Sequence, residues 1–102
     1  MKVGYGLITT FHAHAGQQKE LAEILLEGAG VMEDIPACLE YIVGTSEQDE
    51  DTVFVVEVWT DEGRHRASLD NPAVKAVIER GAPLIREVER NKELDLLGGK
   101  GL

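Results

Sequence analysis

The sequence predicts an α+β fold built on one antiparallel sheet, with elements in the order β-α-β-β-α-β, and three observations carry that prediction. Apolar residues alternate over residues 2–12 and again over 37–44, the two-residue period of a strand. They recur at helical spacing from about residue 17 to Met32 and once more after Pro72. Between these lies Val53 Phe54 Val55 Val56 Glu57 Val58 Trp59, a nearly continuous apolar run of the kind carried by a strand buried on both faces.

In the first strand Val3, Tyr5, Leu7, Thr9 and Phe11 share one face, and Gly4, Gly6, Ile8 and Thr10 the other. The two glycines bare that second face near its start, which suits close approach by another chain segment or a ligand. After Ala15 Gly16 a helix follows, with Leu21, Ile24, Leu25 and Met32 inward and Lys19, Glu20, Glu23 and Glu27 outward. Gly28 and Gly30 each weaken its end by about 1 kcal/mol relative to Ala. Pro36 restarts the chain into a second strand, where Ala37, Leu39, Tyr41 and Val43 alternate with Cys38, Glu40, Ile42 and Gly44. The acidic segment Thr45 to Thr52 lacks the spacing and central Gly of a calcium loop and reads as a solvated hairpin tip. Val53 to Trp59 belongs mid-sheet. Thr60 or Asp61 caps a short helix reaching Leu69, and Asn71 Pro72 opens another, whose apolar stripe is Val74, Val77, Ile78 and Ile85 and whose length Pro83 limits. Val88, Leu94 and Leu96 then form a last edge strand.

This order is a split βαβ arrangement of ferredoxin-like type. Residues 1–97 make a single domain, and 98–102 a flexible tail. Both longer helices cover one sheet face, which leaves the apolar side chains of the other without cover from their own chain. A second copy is the economical cover, so the sequence predicts a homodimer whose sheets pack face to face toward a barrel.

Composition narrows the function. At 102 residues, 43% hydrophobic and 28% charged, the chain has the balance of a small globular domain. Its net charge of -9, from 19 acidic and 10 basic residues, repels nucleic acid and anionic membrane surfaces. No apolar run approaches a signal sequence or a membrane span, so a cytoplasmic protein is expected. Cys38 is the only cysteine, which excludes an internal disulfide and a thiolate metal cluster, and it reads as a small apolar residue. No Gly-rich phosphate cradle follows a strand, so no dinucleotide cofactor is expected. His12 and His14 point to one side of an extended segment without a third ligand at suitable spacing. They are read as a solvent-facing strand end, and no metal is assigned.

Chemistry is best sought around the single Trp. Trp59 closes the third strand, Glu57 precedes it on the same face, and His65 follows just inside a helix on which Ser68 and Leu69 share its face. Tyr41 and Tyr5 lie within possible reach, with core packing the plainer reading for each.

The same residues carry a resemblance. Gly16 with Leu21 Ala22 and Leu25 Leu26, then Cys38 Leu39 and Tyr41, and above all Glu57 Val58 Trp59, His65, Ser68 Leu69, Val74, Ile78 and Pro83 Leu84 Ile85 form a pattern spanning nearly the whole chain. It resembles the antibiotic biosynthesis monooxygenase domain family, in particular a branch labelled quinol monooxygenase. That resemblance implies a ferredoxin-like dimer joined through its sheets. Family members oxidise quinols and polyketide aromatics, degrade haem, isomerise small metabolites, or have no known activity. The Asn on the first strand and the His late in the second helix of haem-degrading relatives are missing here, which argues against haem. The Asn that some ring-oxidising relatives carry shortly before the Trp is also missing.

The expectation is therefore a cofactor-independent monooxygenase acting with O2 on a quinol or another hydroxylated aromatic. Such chemistry needs a base, because the aromatic anion passes an electron to O2 far more readily than the neutral ring. His65 is the natural base, with an unperturbed pKa close to neutral. Trp59 is expected to form a wall and donate its N–H to a substrate oxygen, with Ser68 and Glu57 orienting the base, or Glu57 accepting the indole hydrogen instead, and with Leu69 and Tyr41 completing the substrate pocket. Two alternatives are an isomerase using the same pocket and base, and a non-catalytic ligand-binding or stress-associated dimer.

Overall fold

The computed structural model of the protein describes residues 2–102. The elements are β1 (Gly4–Ala13), α1 (Gln18–Met32), β2 (Cys38–Gly44), β3 (Thr52–Trp59), α2 (Glu62–Ser68), α3 (Pro72–Gly81) and β4 (Ile85–Leu96), with a 3-10 turn at Ala82–Leu84 before the last strand. They form one antiparallel sheet in the order β2-β3-β1-β4, the ferredoxin-like arrangement.

Local chemistry fixes the helix starts. Asp61 caps α2 by accepting the Arg64 N–H at 2.7 Å, and Asn71 caps α3 by accepting the Ala73 N–H at 2.8 Å, with Pro72 in the first turn. Pro83 ends α3 early, because it has no N–H to give to the helix. Ile85 consequently opens β4 instead of extending the α3 stripe, a correction to the sequence reading. The acidic hairpin tip is tied down at its end, where Asp51 Oδ1 accepts the Gly16 N–H at 3.0 Å.

The helices lie on one face of the sheet. Beneath them Leu21, Leu25, Val53, Val55 and Leu84 form one buried cluster, and Tyr5, Leu7, Ala37 and Trp59 another. Registers set out rows of neighbours on this face. Tyr41 lies opposite Glu57, Glu57 opposite Leu7, and Leu7 opposite Glu93, while Trp59 stands between Cys38 and Tyr5.

Two irregularities alter the alternation. In β2 the register shifts between Cys38 and Glu40, so Cys38 rather than Leu39 packs toward Trp59, and Leu39 is exposed. In β4, Ile8 faces Lys92 but Thr9 faces Arg90, which makes Asn91 a bulge residue. The even spacing of Val88, Leu94 and Leu96 therefore does not put them on one face. Val88, opposite Phe11, turns to the helix side, while Leu94 and Leu96 lie over Gly6 and Gly4 on the opposite side.

That opposite side is open. Ile42 is 53% exposed and Val56 39% exposed, so within one chain β3 is buried on its helix face alone. Gly4 has a packing reason, since a Cβ there would stand 3.0 Å from the Trp59 carbonyl oxygen. Among the described residues no helix is long and apolar enough to cross a membrane.

Candidate active site

A cavity of about 380 Å³ opens between the helix face of the sheet and α1, α2 and α3. Its walls are mainly apolar, among them Phe11, Leu25, Met32, Val74, Val77 and Ile78, and its polar groups are Tyr41, Glu57, His65, Ser68 and Arg90. A pocket of this size and lining suits one small planar molecule.

The polar centre starts from β3. Because Glu57 and Trp59 are two apart on one strand face, the indole N–H reaches back to Glu57 Oε1 at 3.0 Å. His65, in the last turn of α2, brings Nε2 to 4.0 Å from the same oxygen. Its ring lies edge-on to Trp59 with centroids 5.2 Å apart and tilted to Tyr5 at 5.7 Å, so two aromatic rings hold the imidazole. The Tyr5 hydroxyl donates to Glu93 Oε1 at 2.5 Å, which anchors that ring across β4.

Burial pushes the Glu57 carboxyl above the usual range, partly offset by the indole hydrogen bond and by Arg90. Burial also lowers His65 below its ordinary value, and Arg90 lowers it further. Both displacements favour the uncharged forms, so the 4.0 Å approach of Glu57 and His65 is less than an ion pair. Burial and the Glu93 bond raise the Tyr5 phenol to about 12, and burial pushes the Tyr41 phenol well above its ordinary value. Neither phenol has the low pKa of a neutral-pH base. Burial and nearby Glu57 raise the Cys38 thiol to about 11, which favours its protonated form at neutral pH.

Of the residues singled out from sequence, Glu57, His65, Ser68, Leu69 and Tyr41 line the cavity. Trp59 is not among the lining residues: its side chain is wholly buried and its N–H is given to Glu57, one of the two parts the sequence reading offered for that carboxylate. The Ser68 hydroxyl donates to the His65 main-chain carbonyl at 2.5 Å, which steadies the helix turn.

Arg90 was not singled out from sequence, although it stands two residues beyond Val88 on the same face of β4 and lines the cavity. Far along β1, His12 Nε2 approaches Glu89 at 2.7 Å, and with Glu87 these three present ligand atoms within 4.8 Å of one another. Sequence spacing paired His12 with His14, whereas the sheet pairs it with two carboxylates on β4. Among the described residues these three could hold a cation, and they stand outside the cavity.

The antibiotic biosynthesis monooxygenase family model matches residues 4–80. No curated protein matches the chain at a significant level. Among solved structures, a candidate antibiotic biosynthesis monooxygenase from Chloroflexus aurantiacus is 38% identical, with 94% of this chain and 95% of that one covered and a TM-score of 0.85. One of the same description from Caulobacter crescentus is 20% identical over 95% and 92% of the two chains, with a TM-score of 0.81. A variant of SnoaB, a cofactor-independent oxygenase from Streptomyces nogalater, is 15% identical over 96% and 97%, also at 0.81. The last two likenesses show the fold.

Proposed function

The chain belongs to the antibiotic biosynthesis monooxygenase family, and from that premise we propose that it oxidises a quinol or another hydroxylated aromatic with O2, using neither metal nor organic cofactor. The observation that carries this reading is His65, an imidazole held toward its neutral, proton-accepting form on the wall of an otherwise apolar cavity. The likeness in fold to a cofactor-independent oxygenase agrees with it.

In this reading His65 takes the phenolic proton, and the resulting anion passes one electron to O2. The two radicals join at a ring carbon to form a peroxide, and the imidazolium returns its proton to the outer oxygen. Loss of water, with cleavage of the O–O bond and release of the ring hydrogen, leaves a hydroxyquinone. One quinol and one O2 thus give one hydroxyquinone and one water. The apolar walls keep bulk water from the radical pair. Glu57 and Trp59 are positioning residues that set the imidazole against the substrate, Tyr41 and Leu69 bound the ring, and Ser68 holds the turn that carries His65.

The active species is proposed to be a homodimer in which the open sheet face, with Ile42 and Val56, meets a second copy. A reducing cytoplasm suits its single free thiol.

The test is O2 uptake in an oxygen electrode with menadiol and hydroquinone as probes. We expect uptake matched by hydroxyquinone formation, lost in His65→Ala by about 10²- to 10⁴-fold with the fold retained. Full turnover in that variant removes His65 from the mechanism. Turnover of a hydroxyketone without O2 uptake replaces oxygenation with isomerisation.

A further inference from the structure

We infer that Arg90 is the specificity-determining residue of the cavity and that it selects hydroxylated aromatics bearing a carboxylate, an inference that rests on the cavity being the substrate site. The first support is the facing of β4. Val88 turns to the helix side opposite Phe11, and Arg90, two residues on and opposite Thr9, shares that side and lines the cavity. The extra residue at Asn91 then lets Glu93 face the same side opposite Leu7. The bulge is pinned: the Thr10 hydroxyl donates to Asn91 Oδ1 at 2.6 Å, and Asn91 Nδ2 donates to Glu89 at 3.2 Å.

The second support is charge. Arg64, Arg66, Arg80 and Arg86 each have a carboxylate within 4.0 Å, whereas Arg90 forms no ion pair among the described residues of a chain with 19 acidic residues. It is also the sole Lys or Arg lining the cavity. An unpaired guanidinium on an apolar pocket is a receptor for an anion, and its planar fork matches a carboxylate through two parallel hydrogen bonds.

Arg90 is exposed, so a carboxylate bound there keeps part of its hydration, while the ring lies against Val77 and Leu25 with its hydroxyl toward His65. A dianion such as phosphate is disfavoured, since the cavity offers no second fixed cation.

The experiment is calorimetric titration of the full chain with 2,5-dihydroxybenzoate and hydroquinone, which share a ring and differ by the carboxylate. The wild type should bind the carboxylated probe on the order of tenfold more tightly, an advantage that shrinks at high salt. Arg90→Gln should erase the difference and leave hydroquinone affinity within about twofold, and Arg90→Lys should keep part of it. Equal affinities in the wild type, binding of neither probe, or an undiminished preference in Arg90→Gln overturns the inference. The wild-type comparison needs no variant to fold. Carboxylate preference without O2 uptake would sink the oxygenase reading alone, and hydroquinone oxidation without carboxylate preference would sink this inference alone.

Discussion

The Trp59 indole N–H donates to Glu57 Oε1 at 3.0 Å, and the same carboxylate oxygen stands 4.0 Å from His65 Nε2. One buried carboxyl thus joins the strand's aromatic residue to the imidazole on α2. Replacing Trp59 by Phe leaves that carboxyl without its donor, and we expect a loss of about 1–3 kcal/mol in urea unfolding. In the Glu57→Leu background the same change should cost clearly less. Equal costs in the two backgrounds would mean that the bond contributes nothing to stability.

Glu57 also sets a pH dependence of stability. Its folded pKa lies above its unfolded value near 4.5, so its ionisation opposes folding as pH rises from that value through the folded one. Glu57→Gln removes the penalty while keeping an oxygen for the indole. We expect its melting temperature to gain on the wild type as pH is raised from 4 to 8. A constant difference across that range would contradict the buried-carboxyl assignment.

His65 makes the opposite prediction for activity. With its pKa held below the ordinary 6.5, the imidazole stays neutral until the pH falls beneath that value. The acid limb of kcat/KM should accordingly have its midpoint under about 6.5. Because Arg90 contributes to the lowering, Arg90→Gln should move that limb to higher pH. A limb that stays in place means that another group controls it.

Gly28 faces the cavity from α1. A Cβ there would lie 3.4 Å from Val77 Cγ1 and 3.6 Å from the Tyr41 hydroxyl, ordinary contact distances. Gly28→Ala should therefore gain about 1 kcal/mol of helix stability while narrowing the pocket and weakening ligand binding. Chemical denaturation and calorimetry check the two effects separately.

The proposed sheet-to-sheet dimer is tested by Val56→Asp. Val56 lies opposite both Ile8 and Ile42 at the centre of the open face, away from the cavity. A buried, unpaired carboxylate at an interface is costly, so light scattering should report monomer where the wild type gives dimer, with circular dichroism unchanged. A variant that remains dimeric would rule out this face.

Most of the architecture was legible in the sequence because periodicity, caps and prolines act locally. Asn71 Pro72 and Asp61 start their helices as read, and the apolar run ending at Trp59 occupies a central strand. The site was legible in composition but less so in geometry. Glu57 and His65 come together, yet the direction of the Trp59 N–H depends on which acceptor tertiary packing brings nearer, and Ser68 is satisfied by its own helix. Arg90 shares its face with Val88 by simple alternation, but nothing local marks that face as the wall of a cavity. The bulge at Asn91 inverts the facing of Leu94 and Leu96 relative to Val88, and nothing in their even spacing marks where the extra residue falls.

The chain's single tryptophan is wholly shielded from solvent and touches the imidazole at its edge. A protonated imidazole accepts an electron from an excited indole and quenches its emission, whereas the neutral ring does so weakly. The protein consequently contains its own optical gauge of proton occupancy at His65, readable by fluorescence in the resting state, before any substrate has been identified.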